Sequence, residues 1–259
     1  VEINCKTGLI DCYKVNGTDY LPANTFLPIV MMDNEDPWGM RVSSFRDVAG
    51  TFELMSPQES ARFSGIRDES LPPVRIIEDG PVRTVVEAVF EYGKSQICQR
   101  YKLPKFGTEI EVETRVHWNE KDRMLKLSIP VLCRNAKYLG QVAYGTGDLP
   151  VDGKEAVAQK WVAVVSADED KAITCINDGI YGSDFSHDGL RFSLLRSPAY
   201  SGHPIEDRPI VVQDRYVPRI DQGERLYHFW INAGPVDERL SKIDREALVK
   251  NEKPFALSF

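Results

Sequence analysis

The stretch Glu109-Ile-Glu-Val-Glu-Thr-Arg-Val-His-Trp118 decides the fold. Its apolar or small residues Ile110, Val112, Thr114, Val116 and Trp118 alternate with Glu109, Glu111, Glu113, Arg115 and His117. A period of two sends the two sets to opposite faces of an extended chain, which makes a half-buried strand with one wet face. Residues 123–132 repeat the pattern, with Leu125, Leu127, Ile129 and Val131 on one face. The link 119–122 is short and polar, which predicts that the two strands pair as an antiparallel hairpin.

Outward from this pair, residues 84–92, 97–103, 161–165, 172–177, 190–196 and 225–232 are further strands, rich in β-branched and aromatic side chains. Turn chemistry separates them at Asp79-Gly80-Pro81, Phe106-Gly107, Asp152-Gly153, Asp178-Gly179, Asp188-Gly189 and Gln222-Gly223. Helical spacing occurs only near the end, where residues 237–248 carry Leu240, Ile243 and Leu248. Many strands punctuated by turns predict an all-β protein, one large antiparallel domain of sandwich or barrel type.

The 259 residues carry 39 acidic and 32 basic side chains, a net charge of −7. An acidic surface without a concentrated Lys/Arg stretch argues against a nucleic-acid partner. Cys5, Cys12, Cys98, Cys133 and Cys175 are odd in number and scattered, which argues for a reducing, cytoplasmic setting rather than a disulfide framework. No apolar run approaches the ~18 residues of a membrane span, so no membrane partner is expected. The chain opens on Val1 with strand-like alternation already under way. That start is expected of a piece of a longer polypeptide, the alternative being a natural start after Met removal.

HExxH, GxSxG, GxxxxGK[ST] and a strand-borne GxGxxG do not occur. His117 and His228 fall inside strand patterns and read as structural, whereas His203 sits in the loop-like Tyr200-Ser-Gly-His-Pro204. Two polar clusters stand out. Met31-Met-Asp-Asn-Glu-Asp-Pro-Trp-Gly39 sets Asp33, Asn34, Glu35 and Asp36 beside Trp38. A Trp ring stacks on a sugar face while carboxylates and amides hold hydroxyls; the alternative is an acidic turn with one core-anchoring Trp. Asp214-Arg-Tyr-Val-Pro-Arg-Ile-Asp-Gln-Gly223 gathers Arg215, Arg219, Asp221 and Gln222 before a strand. Arg offers a fork of donors to adjacent hydroxyls; the alternative is an Arg–Asp pair that pins the loop.

Five segments, in order, resemble the C-terminal region of glycoside hydrolase family 38 α-mannosidases of bacterial type. They are Ile77-Glu-Asp-Gly-Pro-Val-Arg83, Thr114-Arg-Val-His-Trp-Asn-Glu-Lys121 with Met124-Leu-Lys-Leu127, Ile176-Asn-Asp-Gly-Ile-Tyr-Gly182, Leu190-Arg-Phe-Ser-Leu-Leu-Arg-Ser-Pro198, and Asp221-Gln-Gly-Glu224 running into Tyr227-His-Phe-Trp230. Asn119 and the pair Gly179-Ile180 depart from the family pattern.

The resemblance implies a large antiparallel supersandwich of galactose-mutarotase-like type, with residues 1–259 a C-terminal β-sandwich domain and a small β subdomain near its end. It implies a retaining mannosidase whose zinc and Asp nucleophile lie on an N-terminal catalytic domain, zinc gripping sugar hydroxyls while two carboxylates act on the glycosidic bond. No residue of this chain matches the metal or nucleophile segments, so no catalytic residue is assigned and the piece alone is expected to be inactive. Its expected partners are a mannoside or oligosaccharide and its own catalytic domain. The surface left by that domain would favour self-association. Substrate contacts are expected from Asp36, Trp38, Arg219, Asp221 and His203. The competing expectation is a stand-alone carbohydrate-binding or mutarotase-like protein, which would need a His and a carboxylate converging on one sugar.

Overall fold

The structure, a computed structural model, describes residues 1–33, 37, 42–67, 69–199, 218–252 and 254–258. The chain runs through β1 (Glu2–Ile3), β2 (Ile10–Val15), β3 (Thr18–Leu21), β4 (Leu27–Met32), β5 (Val48–Thr51), β6 (Glu53–Leu54) and helix α1 (Pro57–Phe63). Then come β7 (Val74–Asp79), β8 (Arg83–Tyr92), β9 (Ser95–Pro104), β10 (Ile110–Trp118), β11 (Arg123–Ile129), β12 (Lys137–Val142) and β13 (Gly145–Asp148). β14 (Ala156–Val157), β15 (Trp161–Ser166), β16 (Lys171–Asn177), β17 (Gly182–Ser186), β18 (Gly189–Arg196), β19 (Gly223–Gly234) and helix α2 (Val236–Asn251) follow. Every pairing between them is antiparallel.

Three sheets result. The large one has the order β13-β12-β15-β16-β19-β10-β9-β8-β6, with β7 also on β8; the smaller is β14-β17-β18-β11-β4-β5; β1, β2 and β3 form a third. Asn16 and Gly17, both at positive φ (49° and 82°), make the tight β2–β3 connection, a backbone that Asn-Gly adopts with little strain. The core lies between the large and small sheets. Val112, Val116, Trp118, Phe229 and Ile231 of the one meet Val30, Leu125, Leu127, Ile129 and Phe192 of the other. The Phe192 and Phe229 rings, 5.0 Å apart, bridge them.

β10 keeps the alternation read from its sequence: Ile110, Val112, Thr114, Val116 and Trp118 are buried, while Arg115 and His117 are exposed. The expected hairpin with β11 does not form. β9 and β19 fill both edges of β10, and β18 and β4 fill both edges of β11. Residues 119–122 therefore arch from one sheet to the other, and the two strands face each other across the core. β11 is also not half-wet. It ends at Ile129, and all its residues from Met124 on are buried, Lys126 included.

The helix near the end is present as α2, whose Ile243 and Ala247 pack on Trp161, Ala163, Val165, Ala172 and Ile176 of the large sheet. Leu248 lies off that face and is exposed, because the buried stripe runs through 240, 243 and 247 at helical spacing. A second helix, α1, departs from the expectation of one. It carries a capping box in which Ser56 and Glu59 bond each other's backbone N–H, with Pro57 in the first turn.

Between α1 and α2 the outer face of the large sheet carries a row of ion pairs, one member from each element. Arg75 meets Glu87 at 2.6 Å, Glu87 meets Arg100 at 2.8 Å, and Arg100 meets Glu113 at 3.4 Å. His228 continues the row, 3.5 Å from Glu113 and 2.7 Å from Asp178. Opposite charges across neighbouring strands stabilise the pairing and its register. Burial pushes the Glu87 carboxyl up, but the bond from Arg100 and the charges of Arg75 and Arg100 outweigh it, leaving it below the ordinary value. Glu113 is likewise lowered, burial being overcome by Lys102 and Arg100.

Two outcomes follow from the packing. Leu127→Ala, at a fully buried core position, lowers the unfolding free energy by about 3 kcal/mol, measured by urea titration. Glu87 ionises more readily folded than unfolded, so its contribution is present above the ordinary value of 4.5 and is lost as pH falls through the lower folded value. Glu87→Gln should therefore flatten the acid limb of stability against pH; an unchanged limb would refute this account of the row.

Candidate functional site

The arch 119–122 gathers the polar residues at one end of the sandwich. Its backbone must be satisfied where it leaves both sheets. Asp122 N donates to Ser197 O at 2.8 Å, and Asp33 N donates to Asp122 O at 3.2 Å. Trp118 Nε1 donates to Ser197 Oγ at 3.0 Å, and Gln222 Nε2 donates to Glu120 O at 3.0 Å. The ends of β4, β10 and β18 and the start of β19 thus meet at one point.

Two arginine–aspartate forks lock that point. Arg196, the last residue of β18, donates Nε and Nη2 to the two oxygens of Asp33 at 2.7 and 2.8 Å. Arg219 donates Nε and Nη2 to the two oxygens of Asp122 at 3.0 and 3.1 Å. Both have the parallel two-bond geometry that makes Arg–carboxylate pairs strong and directional. The Asp33 side chain is fully buried, and Arg196 and Arg219 are 20% and 10% exposed. The Arg196 guanidinium also lies 4.8 Å over the Phe45 ring. Asp221, at φ 52°, accepts from the Arg196 backbone N at 3.3 Å, which brings the segment of Arg219 to the end of β18.

Of the residues singled out from sequence, Arg219 and Asp221 come together here. Arg219 pins its segment, as one of the two readings of that cluster required, but its partner is Asp122 rather than Asp221. Asp36, Trp38 and His203 lie outside the described residues. Asp33, Arg196 and Asp122 were not singled out as contacts. Asp33 was quoted within the first cluster, whereas a charged residue closing an apolar strand, as Arg196 does, gives no distinct signal. The arrangement places two stems side by side: Asp33 precedes residues 34–36, and Ala199 pairs with Arg219 across residues 200–217.

The forks bear on chemistry. Each carboxylate has both oxygens engaged by a guanidinium, so neither is placed to attack an anomeric carbon or to protonate a leaving oxygen. One group among the described residues has ligand types for a metal: Glu111, Glu113 and His228, with donor atoms within 4.8 Å of one another. It does not fit zinc, because the Lys102 ammonium already bridges the two carboxylates at 2.6 and 2.9 Å. His117 is exposed on the outer face of β10, and His228 belongs to the row of ion pairs. No helix among the described residues is long and apolar enough to cross a membrane.

If the forks hold this end together, Asp33→Ala should lower the unfolding free energy by about 3 kcal/mol, since it removes the carboxylate that meets a largely buried guanidinium. Removing the exposed Arg115–Glu224 pair should change it by less than about 0.5 kcal/mol. Equal effects in urea titrations would contradict that ranking.

Comparison with known proteins points to the same family and covers the first four of the five sequence segments. The glycosyl hydrolases family 38 C-terminal domain matches residues 32–209. Among solved structures, a glycosyl hydrolase family 38 protein from Enterococcus faecalis is similar at a TM-score of 0.64 and 12% identity, over 88% of this chain and 28% of that one. An alpha-mannosidase from Enterococcus faecalis V583 gives the same score and identity, over 89% and 28%. A looser likeness, at a TM-score of 0.42 and 8% identity, covers 90% of this chain and 96% of a galactose mutarotase-like protein from Lactobacillus casei. Among curated proteins nothing matches. The chain spans 28% of the length of the two Enterococcus proteins, whose likeness shows the fold. With more than half of its residues matched, and in that fold, the chain belongs to the glycosyl hydrolases family 38 C-terminal domain.

Proposed function

We propose that this chain is the noncatalytic C-terminal β region of a retaining, zinc-dependent α-mannosidase, and that its forked end forms part of the wall of the sugar site. In this reading the zinc and the nucleophile belong to an N-terminal catalytic domain. Among the described residues the one metal-like cluster is occupied by Lys102, and the carboxylates of the forks are engaged by arginine, which supports assigning the chemistry elsewhere. Zinc, when bound in that domain, would polarise sugar hydroxyls and favour ring distortion.

The observation that carries the proposal is the convergence of Asp33, Arg196, Asp122, Arg219 and Asp221 at one end of the sandwich, in a chain of this family. Guanidinium groups held rigid by their aspartates suit the wall of a sugar site, since shaping it costs little further side-chain freedom. Asp36, Trp38 and His203 join the proposal as ligand residues on the segments whose stems are held there. Trp38 would supply a stacking face and Asp36 and His203 hydroxyl contacts. The substrate would be a mannoside or an oligosaccharide ending in one, and the setting cytoplasmic.

The test uses the complete gene product. It should hydrolyse an α-mannoside with retention at the anomeric carbon, followed by proton NMR of the first-formed sugar. Arg219→Ala should then raise KM or lower kcat by at least about tenfold. A folded Arg219→Ala enzyme with unchanged kinetics would remove the forked end from the sugar site. A product of inverted configuration would remove the retaining mechanism.

A further inference from the structure

A second charged assembly lies beneath the forks, on the face of the small sheet turned away from the main core. Lys126, in the middle of β11, is fully buried, and its ammonium binds both Glu155 and Asp184. Burial pushes the Asp184 carboxyl up against the pull of Lys126. The Glu155 carboxylate also accepts from Ser193 Oγ at 2.7 Å, and both residues are tied to the short segment 43–46. Asp184 accepts from Arg46 Nη1 at 3.1 Å, and the Glu155 backbone N–H donates to Ser43 O at 2.8 Å. Arg46 Nη2 reaches on to Ser186 Oγ at 3.0 Å and Asp188 at 2.8 Å.

Between these two anchors sits Phe45, buried against Ile29, Met31 and Met124. Its ring underlies the Arg196 guanidinium that Asp33 holds in the first fork. Gly153 makes room for the arrangement: it stands at φ 80°, and a Cβ there would come within 2.7 Å of Arg46 Nη1. A buried ion pair is weak as a source of stability, because apolar residues of equal volume often serve as well or better. What it supplies is direction. Each charge accepts only partners of the right sign at the right place.

We propose that Arg46, with the buried Lys126–Glu155–Asp184 group behind it, is a positioning residue: it fixes Phe45 and thereby sets the angle at which Arg196 is presented. The group is built from β11, β17 and residue 155, none of which supplies a member of the forks. Its effect on sugar binding rests on the function proposed above. Its effect on Arg196 does not.

The experiment therefore has two readings. In proton–nitrogen spectra of this chain, the Arg196 Nε–H signal, assigned with Arg196→Lys, reports both its bond to Asp33 and the ring current of Phe45. Arg46→Met should shift or broaden that signal, and Arg83→Met, on the exposed Glu78 pair, should leave it in place. If Arg46→Met does not fold, Ser186→Ala, which removes the Ser186 Oγ contact of Arg46 Nη2, carries the same expectation. An unmoved Arg196 signal in a folded variant overturns the proposal. In the complete enzyme, Arg46→Met should raise KM for the mannoside by about tenfold with kcat changed less than about twofold. Unchanged KM would overturn the link to sugar binding. Should the unaltered enzyme cleave no mannoside, the function proposed above fails, and the Arg196 signal alone decides the positioning role.

Discussion

Everything at the polar end of the sandwich depends on one topological constraint: β10 has no free edge. β9 and β19 take its two rows of backbone groups, so the chain that leaves Trp118 cannot turn back beside it. It must cross the core and enter the other sheet. A crossing of four residues exposes backbone donors and acceptors where two strand ends and an apolar interior meet, and these must find partners. Ser197, Asp33 and Gln222 supply them, and in doing so draw the ends of β4, β18 and β19 to one place. The site is thus a consequence of how the sandwich is closed rather than an addition to it.

The charges follow the same logic. Asp33 and Lys126 are fully enclosed side chains that would be costly if unpaired. Each is met by groups of opposite sign with oriented hydrogen bonds, one at the forked end and one under residues 43–46. Phe45 is common to both, packed below into an apolar cluster and capped above by Arg196. Oriented bonds of this kind set where each charged group can lie, which apolar packing alone does not.

The sequence was informative wherever a side chain's environment repeats with the backbone period. Ile110 to Trp118 could be read as a strand with its inner face identified, and the later strands were found near their observed limits. What it could not convey was partnership. A polar tetrapeptide between two strands reads the same whether it turns within a sheet or crosses between sheets, so the arch was taken for a hairpin. Lys126 looked like a wet-face residue because Glu155 and Asp184, which enclose it, are remote in sequence. The helix α1 escaped because seven residues are too few to show a period, although Ser56 and Glu59 form a box that local reading can recognise. Arg219 and Asp221 were found as polar residues beside Pro and Gly, yet the partner of Arg219 lay some hundred positions earlier.

The position of β19 has its own consequence for how the molecule comes to exist. In the large sheet it lies between β16 and β10, and among the described residues it is the last strand in sequence. Until residues 223–234 are available, β6 to β10 and the set β13-β12-β15-β16 are two separate half-sheets, each ending in a long unpaired edge through what will be the centre of the sheet. Such edges invite pairing with other chains, and contacts as distant as 110 with 231 close slowly. During synthesis, then, most of this polypeptide is made before its main sheet can be completed, and the final strand acts as the keystone that turns two sticky halves into one wall.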